Sequence, residues 1–304
     1  MAHRRMSLPK SALMTSASAI SAVALWGLAF PLIQEGLVDF SPVLLGFVRF
    51  LLASVLMLGV IAIKYPLGRI VQAIKAEWKP LLILGLLYVA IPNVAQNLGL
   101  QHGTSSIASV IQSSGPVMTL VFAVLLLKEG LTRMKTIGTI VALTGTILLV
   151  ASGGTSLKNQ DFVSNVLILI SATSYGLAWV SAKNMIARNP PVLVIGLSLL
   201  FGTALLGIAV PFEQGLRMEF NQHSILNIAV LGFLCAGVSS VLYLSSLEHE
   251  EVSRMAFFIY LMPVFATLFA WAIRGEGVAT WTAFCGLVIV AGIAIANRKG
   301  REPA

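Results

Sequence analysis

Apolar runs of about twenty residues, each closed by charged or turn-forming residues, follow one another along the whole length of this chain. A helix needs on the order of 20 apolar residues to cross a hydrocarbon layer about 30 Å thick, and lipid leaves every backbone polar group to be satisfied inside the crossing segment. Runs of that length fall at roughly 15–34, 42–63, 79–100, 105–127, 134–152, 162–182, 192–212, 226–247, 252–273 and 277–297. The connections between them are short and leave no room for a separate soluble domain. The expectation is an all-α polytopic membrane protein with ten transmembrane helices.

Composition agrees. Of 304 residues 57% are hydrophobic and only 11% charged, with a mean hydropathy of +0.91, so the chain lacks the polar surface a water-soluble domain requires. The net charge of +8 sits in the short connections, which suits membrane orientation better than nucleic-acid binding. Cys235 and Cys285 lie inside apolar runs without metal-ligand or CxxC spacing and are expected as small packing residues. The basic start, Met1 to Lys10, runs into an apolar segment that continues to about Ile33 without a clear small-residue cleavage site, so a retained first helix is expected.

With ten crossings both ends share one side, and the lysines and arginines say which. Arg4, Arg5 and Lys10, then Lys64, Arg69, Lys75 and Lys79, then Lys128, Arg133 and Lys135, then Lys183, Arg188 and Arg254, and finally Arg298, Lys299 and Arg301 all fall on the N-terminal side. Only Lys158, Arg217 and Arg274 fall opposite, and Arg49 lies within the second run. Both termini are therefore expected in the cytoplasm, with the chain in the plasma or inner membrane.

The chain also repeats itself. At an offset of 147, Leu84-Gly85 meets Leu231-Gly232, Pro116-Val117 meets Pro263-Val264, Phe122-Ala123 meets Phe269-Ala270, Glu129-Gly130 meets Glu276-Gly277, and Gly145 meets Gly292. Upstream the offset becomes 149 and pairs Trp26-Gly27 with Tyr175-Gly176. Shared apolar composition does not by itself hold Gly, Pro and Glu in register. Two units follow, residues 1–152 and 153–304, each with five helices. Five is odd, so the second unit enters the membrane from the opposite side. Inverted repeats around a central cavity are the structural logic of alternating access.

Trp26-Gly27 with Pro31 in the first run, Arg49-Phe50 in the second, Pro116 in the fourth, Glu129 just after it, and Gly138 and Gly145 in the fifth resemble the EamA-type transporters of the drug/metabolite transporter superfamily. The resemblance spans nearly the whole chain and implies ten helices in two five-helix repeats, and movement of small organic metabolites, commonly outward. These motifs mark the fold better than the substrate, because most occupy packing positions.

Polar residues inside the runs should face other helices or a water-filled cavity. Asn93, Gln96 and Asn97 share one helical face, with Tyr88 about a turn away, and Ser105, Ser109, Gln112, Ser113 and Pro116 follow on the next run. The serines suit close helix packing, whereas the larger amides of Asn93, Gln96 and Gln112 suit a cavity wall. Trp26, Tyr88, Tyr175, Trp179, Tyr243, Phe257 and Tyr260 are candidates for an aromatic box around an amphipathic substrate, although packing explains an individual ring equally well. Arg49 is expected in a structural or gating ion pair, with Glu35 or Asp39 as partner, rather than in substrate contact. Pro116 and Pro263 are places for helix kinks, and Glu129 and Glu276 are expected to cap the following helix or to pair as gate elements.

No Asp or Glu lies near the middle of a run, so coupling through a central carboxylate is disfavoured, and the absence of a P-loop removes direct ATP drive. No cofactor, metal or nucleic-acid partner is expected; the partners are a small-molecule substrate and the bilayer, and a monomer is compatible with the pattern. The leading expectation is a secondary carrier for a metabolite such as an aromatic or neutral amino acid. A quaternary-cation exporter is the alternative and requires a negative charge at the site. A membrane-embedded enzyme requires a convergent nucleophile or metal constellation that the runs do not contain.

Overall fold

The computed structural model describes residues 12–102, 105–151, 159–247, 250–274 and 280–296. Among them the chain is helical, and its one pairing of extended backbone is an isolated antiparallel bridge between Phe40 and Met218. The helices are α1 (Ala12–Asp39), α2 (Pro42–Lys64), α3 (Leu67–Gly85), α4 (Ile91–His102), α5 (Ser105–Gln112), α6 (Gly115–Leu127) and α7 (Arg133–Ala151). They are followed by α8 (Asn159–Ile186), α9 (Pro191–Ala209), α10 (Gln222–Ala229), α11 (Ser239–Leu247), α12 (Val252–Ala256), α13 (Met262–Arg274) and α14 (Thr280–Ala296). Six stretches of described helix are long and apolar enough to cross a membrane: Met14–Asp39, Pro42–Lys64, Leu67–Gln101, Phe162–Ile186, Pro191–Phe212 and Gln222–Leu247. Gly115–Leu127, Phe257–Ile273 and Leu287–Ala296 are shorter apolar helices. Large apolar side chains such as Ile63 and Leu287 point outward, 88% and 70% exposed, as a surface solvated by lipid requires. The chain is a polytopic α-helical membrane protein.

Several helices depart from ideal geometry, and the sequence supplies the causes. Pro42 and Pro191 open α2 and α9, where a missing N–H costs nothing. Pro80 lies inside α3 and cannot donate to the preceding turn; the helix kinks there, with Glu77 at φ −131°, ψ 22°. Helix therefore begins at Leu67, a dozen residues before the expected third run, and its first part is an amphipathic stretch. The expected run 105–127 is broken between α5 and α6, just before Pro116, and Ser113 bonds its hydroxyl back to the Ser109 carbonyl (2.8 Å). At Pro263 the same interruption takes the form of a 3-10 stretch, Phe257–Leu261, leading into α13. Two π-helical stretches, Leu86–Ala90 between α3 and α4 and Val230–Val238 between α10 and α11, widen the helix where they occur.

Helices meet through small residues, because in lipid close van der Waals contact is what holds them together. A methyl added at Gly85 would lie 2.8 Å from the Ser198 carbonyl oxygen; one added at Gly232 would lie 2.9 Å from that of Arg49. One added at Gly27 would lie 3.0 Å from the Ala266 nitrogen, and one at Gly176 would lie 3.0 Å from that of Thr119. Gly99 approaches the Ser164 carbonyl on α8, and Ser246 donates to the Thr15 carbonyl on α1 (3.1 Å). Each seam recurs when 147 is added to one partner and 149 is added to or taken from the other. On α2 and α9, Ser54 and Thr203 share a hydrogen bond of 2.9 Å across that same separation of 149 residues.

Polar contacts gather at the two ends of the bundle. At the end where α1 begins, Lys135 pairs with Glu251 (2.6 Å), and Lys183 donates to the Leu247 and Glu250 carbonyls. Glu129 accepts from the Val252 amide (3.0 Å), and Glu77 pairs with Arg188 (3.4 Å). Of the two expectations for Glu129, capping the following helix or pairing across helices, the second is nearer: the chain reversal after Lys128 (φ 55°) turns it toward the 250–252 segment, where it accepts from the amide that opens α12. At the other end Glu213 accepts from Ser41 Oγ and from the Val43 and Leu44 amides at the start of α2. There Arg217 also donates to the Leu37 carbonyl. Glu276 lies outside the described residues.

Candidate functional site

A cavity sits among α1, α2, the two π stretches, α4 to α6, α8 and the Pro263 break, enclosing about 610 Å³ of empty space counting its open mouth. Its wall carries Trp26, Ala29 and Phe30 from α1, Arg49 and Phe50 from α2, Tyr88 from the first π stretch, and Gln96 from α4. Gln112, Gly115 and Thr119 flank the α5–α6 break, while Tyr175, Gly176 and Trp179 come from α8. Cys235 and Ala236 in the second π stretch, with Ile259 and Met262 at the Pro263 break, close the circle. Both helix breaks and both π stretches thus contribute to the wall, and interrupted helices are tolerated at membrane depth where they border a cavity or are buried in protein.

Trp179 organises the rings. It stacks on Trp26 (centroids 5.5 Å apart, 27°) and Tyr175 (6.3 Å, 13°), and meets Tyr88 (4.8 Å, 60°) and Tyr243 (4.6 Å, 52°) at tilted angles. The Trp26 indole N–H donates to Ser239 Oγ (2.9 Å), and the Tyr88 hydroxyl is hydrogen-bonded to Ser240 Oγ (2.5 Å). Ser174 donates to the Leu87 carbonyl (2.8 Å), a tie between α8 and the π stretch that carries Tyr88. The first two bonds hold Trp26 and Tyr88 by their polar edges and leave apolar ring surface for the cavity.

The predicted residues divide. Trp26, Tyr88, Gln96, Gln112, Tyr175 and Trp179 stand on the wall; Asn93, Tyr243, Phe257 and Tyr260 do not. Asn93 is fully buried behind it, donating to the Val89 carbonyl (2.8 Å) and turning its oxygen to Arg49 (3.5 Å). Asn97 leaves the stripe to bond the Pro42 carbonyl at the start of α2 (2.8 Å). Tyr243 supports Trp26 and Trp179 from behind, and Phe257 and Tyr260 are buried in the packing around the 3-10 stretch. The hydroxyls of Tyr243 and Tyr260 have no hydrogen-bond partner in the structure. Helical spacing pointed to Asn93 and mid-run position to the three rings, and neither signal separates the wall from the layer behind it; Phe257 and Tyr260 are further turned by the 3-10 stretch that carries them.

Arg49 is placed differently from expectation. It stands on the wall, and neither expected carboxylate reaches it: Glu35 lies 3.8 Å from His223, and Asp39 accepts from Asn221 (3.4 Å). Phe30, Phe50, Thr119, Cys235, Ile259 and Met262 were missed. A signal for some was available, because Cys235 corresponds to Tyr88, Ile259 to Gln112 and Met262 to Gly115 at the 147-residue offset, and Phe30 to Trp179 at 149.

Comparison with known proteins agrees with a transport protein. The model of the EamA-like transporter family matches twice, over residues 13–151 and 163–298. An uncharacterized transporter of Archaeoglobus fulgidus is 25% identical over 91% of this chain and 95% of its own length. The uncharacterized inner membrane transporter YedA of Escherichia coli is 25% identical over 92% of this chain and 90% of its own length. A probable terminal-alkyne amino-acid exporter of Streptantibioticus cattleyicolor is 26% identical over 91% of both chains. A crystal structure with 19% identity superposes at a TM-score of 0.74 over 93% of this chain and 96% of the other, so the two share a fold. The chain belongs to the EamA-like transporter family, whose model it matches once in each half.

Proposed function

We propose that the chain is a secondary carrier that moves a small organic metabolite with an aromatic or apolar body, such as an aromatic or neutral amino acid, by alternating access between two inverted five-helix repeats. The observation that carries the proposal is the aromatic cavity at the meeting of the paired seams. The seams exchange partners between the halves: Gly85 packs on α9 and Gly232 on α2, Gly27 on α13 and Gly176 on α6. That exchange is what a pseudo-twofold axis in the membrane plane produces, and the double family match supports the same division. Together with the basic clusters it favours ten crossings with both termini in the cytoplasm.

On this reading the latches formed by Lys135, Lys183 and Glu129 lie at the cytoplasmic end. Export or facilitated release is the direction we favour. The charged side chain on the wall is Arg49, which speaks against the quaternary-cation alternative. Flux in proteoliposomes tests the proposal. Purified protein should accelerate equilibration of at least one amino acid or amphipathic metabolite in a broad panel, and failure with every member would overturn it.

A further inference from the structure

Arg49 has no place in a purely structural account. It is 5% exposed, lines the cavity, lies 5.1 Å from the Phe50 ring centroid and reaches Asn93 Oδ1 at a marginal 3.5 Å, while its Nε has no hydrogen-bond partner. Among the described residues no carboxylate comes within 4.0 Å of it. A buried guanidinium without a counter-charge is costly in low dielectric, and a neutral amide with a ring face compensates it only in part. On the same wall Gln112 is 5% exposed and its Oε1 also lacks a partner.

We propose that Arg49 is the substrate's anion receptor, so that the cargo carries a carboxylate on its aromatic or apolar body, with Gln112 Oε1 accepting from an ammonium where one is present. This deepens the carrier reading and rests on it. A planar guanidinium matches a carboxylate with two parallel hydrogen bonds. A single cation on the wall fits one negative charge better than a phosphate dianion. The uncompensated charge also gives a reason for the empty protein to favour loaded over unloaded transitions.

The test measures binding, leaving the carrier reading to its flux assay. Thermal unfolding of the purified full chain is followed with phenylalanine, 3-phenylpropionate, phenylalaninamide and phenethylamine, which share a ring and differ in charged groups. Both carboxylates should bind tighter than the amide and the amine, by on the order of tenfold or more. Phenylalanine outranking 3-phenylpropionate in the wild type but not in Q112L assigns the ammonium to Gln112, and equal binding restricts the receptor to the carboxylate; either supports Arg49. R49Q should erase the preference and R49K should retain part of it. If R49Q fails to fold, the wild-type ranking and R49K decide. Equal or tighter binding of the amide or amine, a preference that survives R49Q, or no stabilisation by any of the four compounds overturns the proposal.

Discussion

Tyr88 and Cys235 occupy corresponding places on the cavity wall, 147 residues apart and each within a π stretch, yet one is a large ring with a hydroxyl and the other a small thiol. The same contrast recurs around the wall. Gln112 has Ile259 as its counterpart, and Gln96 and Arg49 have theirs, Tyr243 and Ser198, off the wall altogether, while the glycines that set the seams, Gly27 with Gly176 and Gly85 with Gly232, are the same on both sides. Backbone approach tolerates only small residues and so holds both sides to one solution. The wall is under no such constraint. The charged and amide side chains on the wall, Arg49, Gln96 and Gln112, all lie in the first half, and the second half supplies apolar surface and the rings of Tyr175 and Trp179.

The sharpest way to break this comparison is at the seams. Gly85→Val and Gly232→Val should each lose most folded protein, because even a first methyl carbon would lie within 3 Å of backbone atoms that have no room to retreat. Fluorescence-detected size exclusion with melting curves would show it, and tolerance of one substitution but not the other would end the equivalence of the two seams. Next comes Trp179 against its counterpart Phe30. Trp179→Ala removes the ring that touches four others and should cut flux at least tenfold, with a fall in stability of about 3 kcal/mol or more. Phe30→Ala breaks no such ring cluster among the described residues and should be milder in flux at similar expression.

Gln112 against Ile259 separates recognition from packing. Gln112→Leu relieves a buried acceptor without a partner, so the melting temperature should hold or rise while flux falls several-fold. Ile259→Leu conserves volume and should change both little, within about 1.5 kcal/mol in stability. The smallest effect is expected at the latch. Glu251 is half exposed, so its pair with Lys135 should show a coupling of about 1 kcal/mol or less in a double-mutant cycle of Lys135→Met and Glu251→Gln read by thermal unfolding. A larger coupling would mark that end as a main energetic lock of the described conformer.

Much of the wall was legible beforehand. Trp26, Tyr88, Gln96, Gln112, Tyr175 and Trp179 stand out because lipid makes large polar or amphipathic side chains in mid-helix expensive unless they border a cavity or a partner. Asn93, Tyr243, Phe257 and Tyr260 carry the same signal and were read the same way, but they serve as support or packing. Composition does not distinguish a residue on the wall from one a few ångströms behind it. Arg49 was assigned to an ion pair by proximity along the chain to Glu35 and Asp39. The bonds of those carboxylates with the 221–223 segment, nearly two hundred residues away, are long-range contacts that no local pattern announces.

Membrane residence is written in the amino-acid sequence, because hydrophobic length is an additive property that needs no partner to be read. The sequence also carried the internal offset that ties Gly85 to Gly232. Tertiary packing is what brings the helix breaks at Pro116 and Pro263 and the two π stretches around one cavity, and sets Arg49 on its wall with no carboxylate of the described residues within 4.0 Å. Those outcomes depend on how bent helices rotate their faces against neighbours remote in the chain. A change of a single hydrogen-bond register there moves a side chain from the wall to the packing behind it.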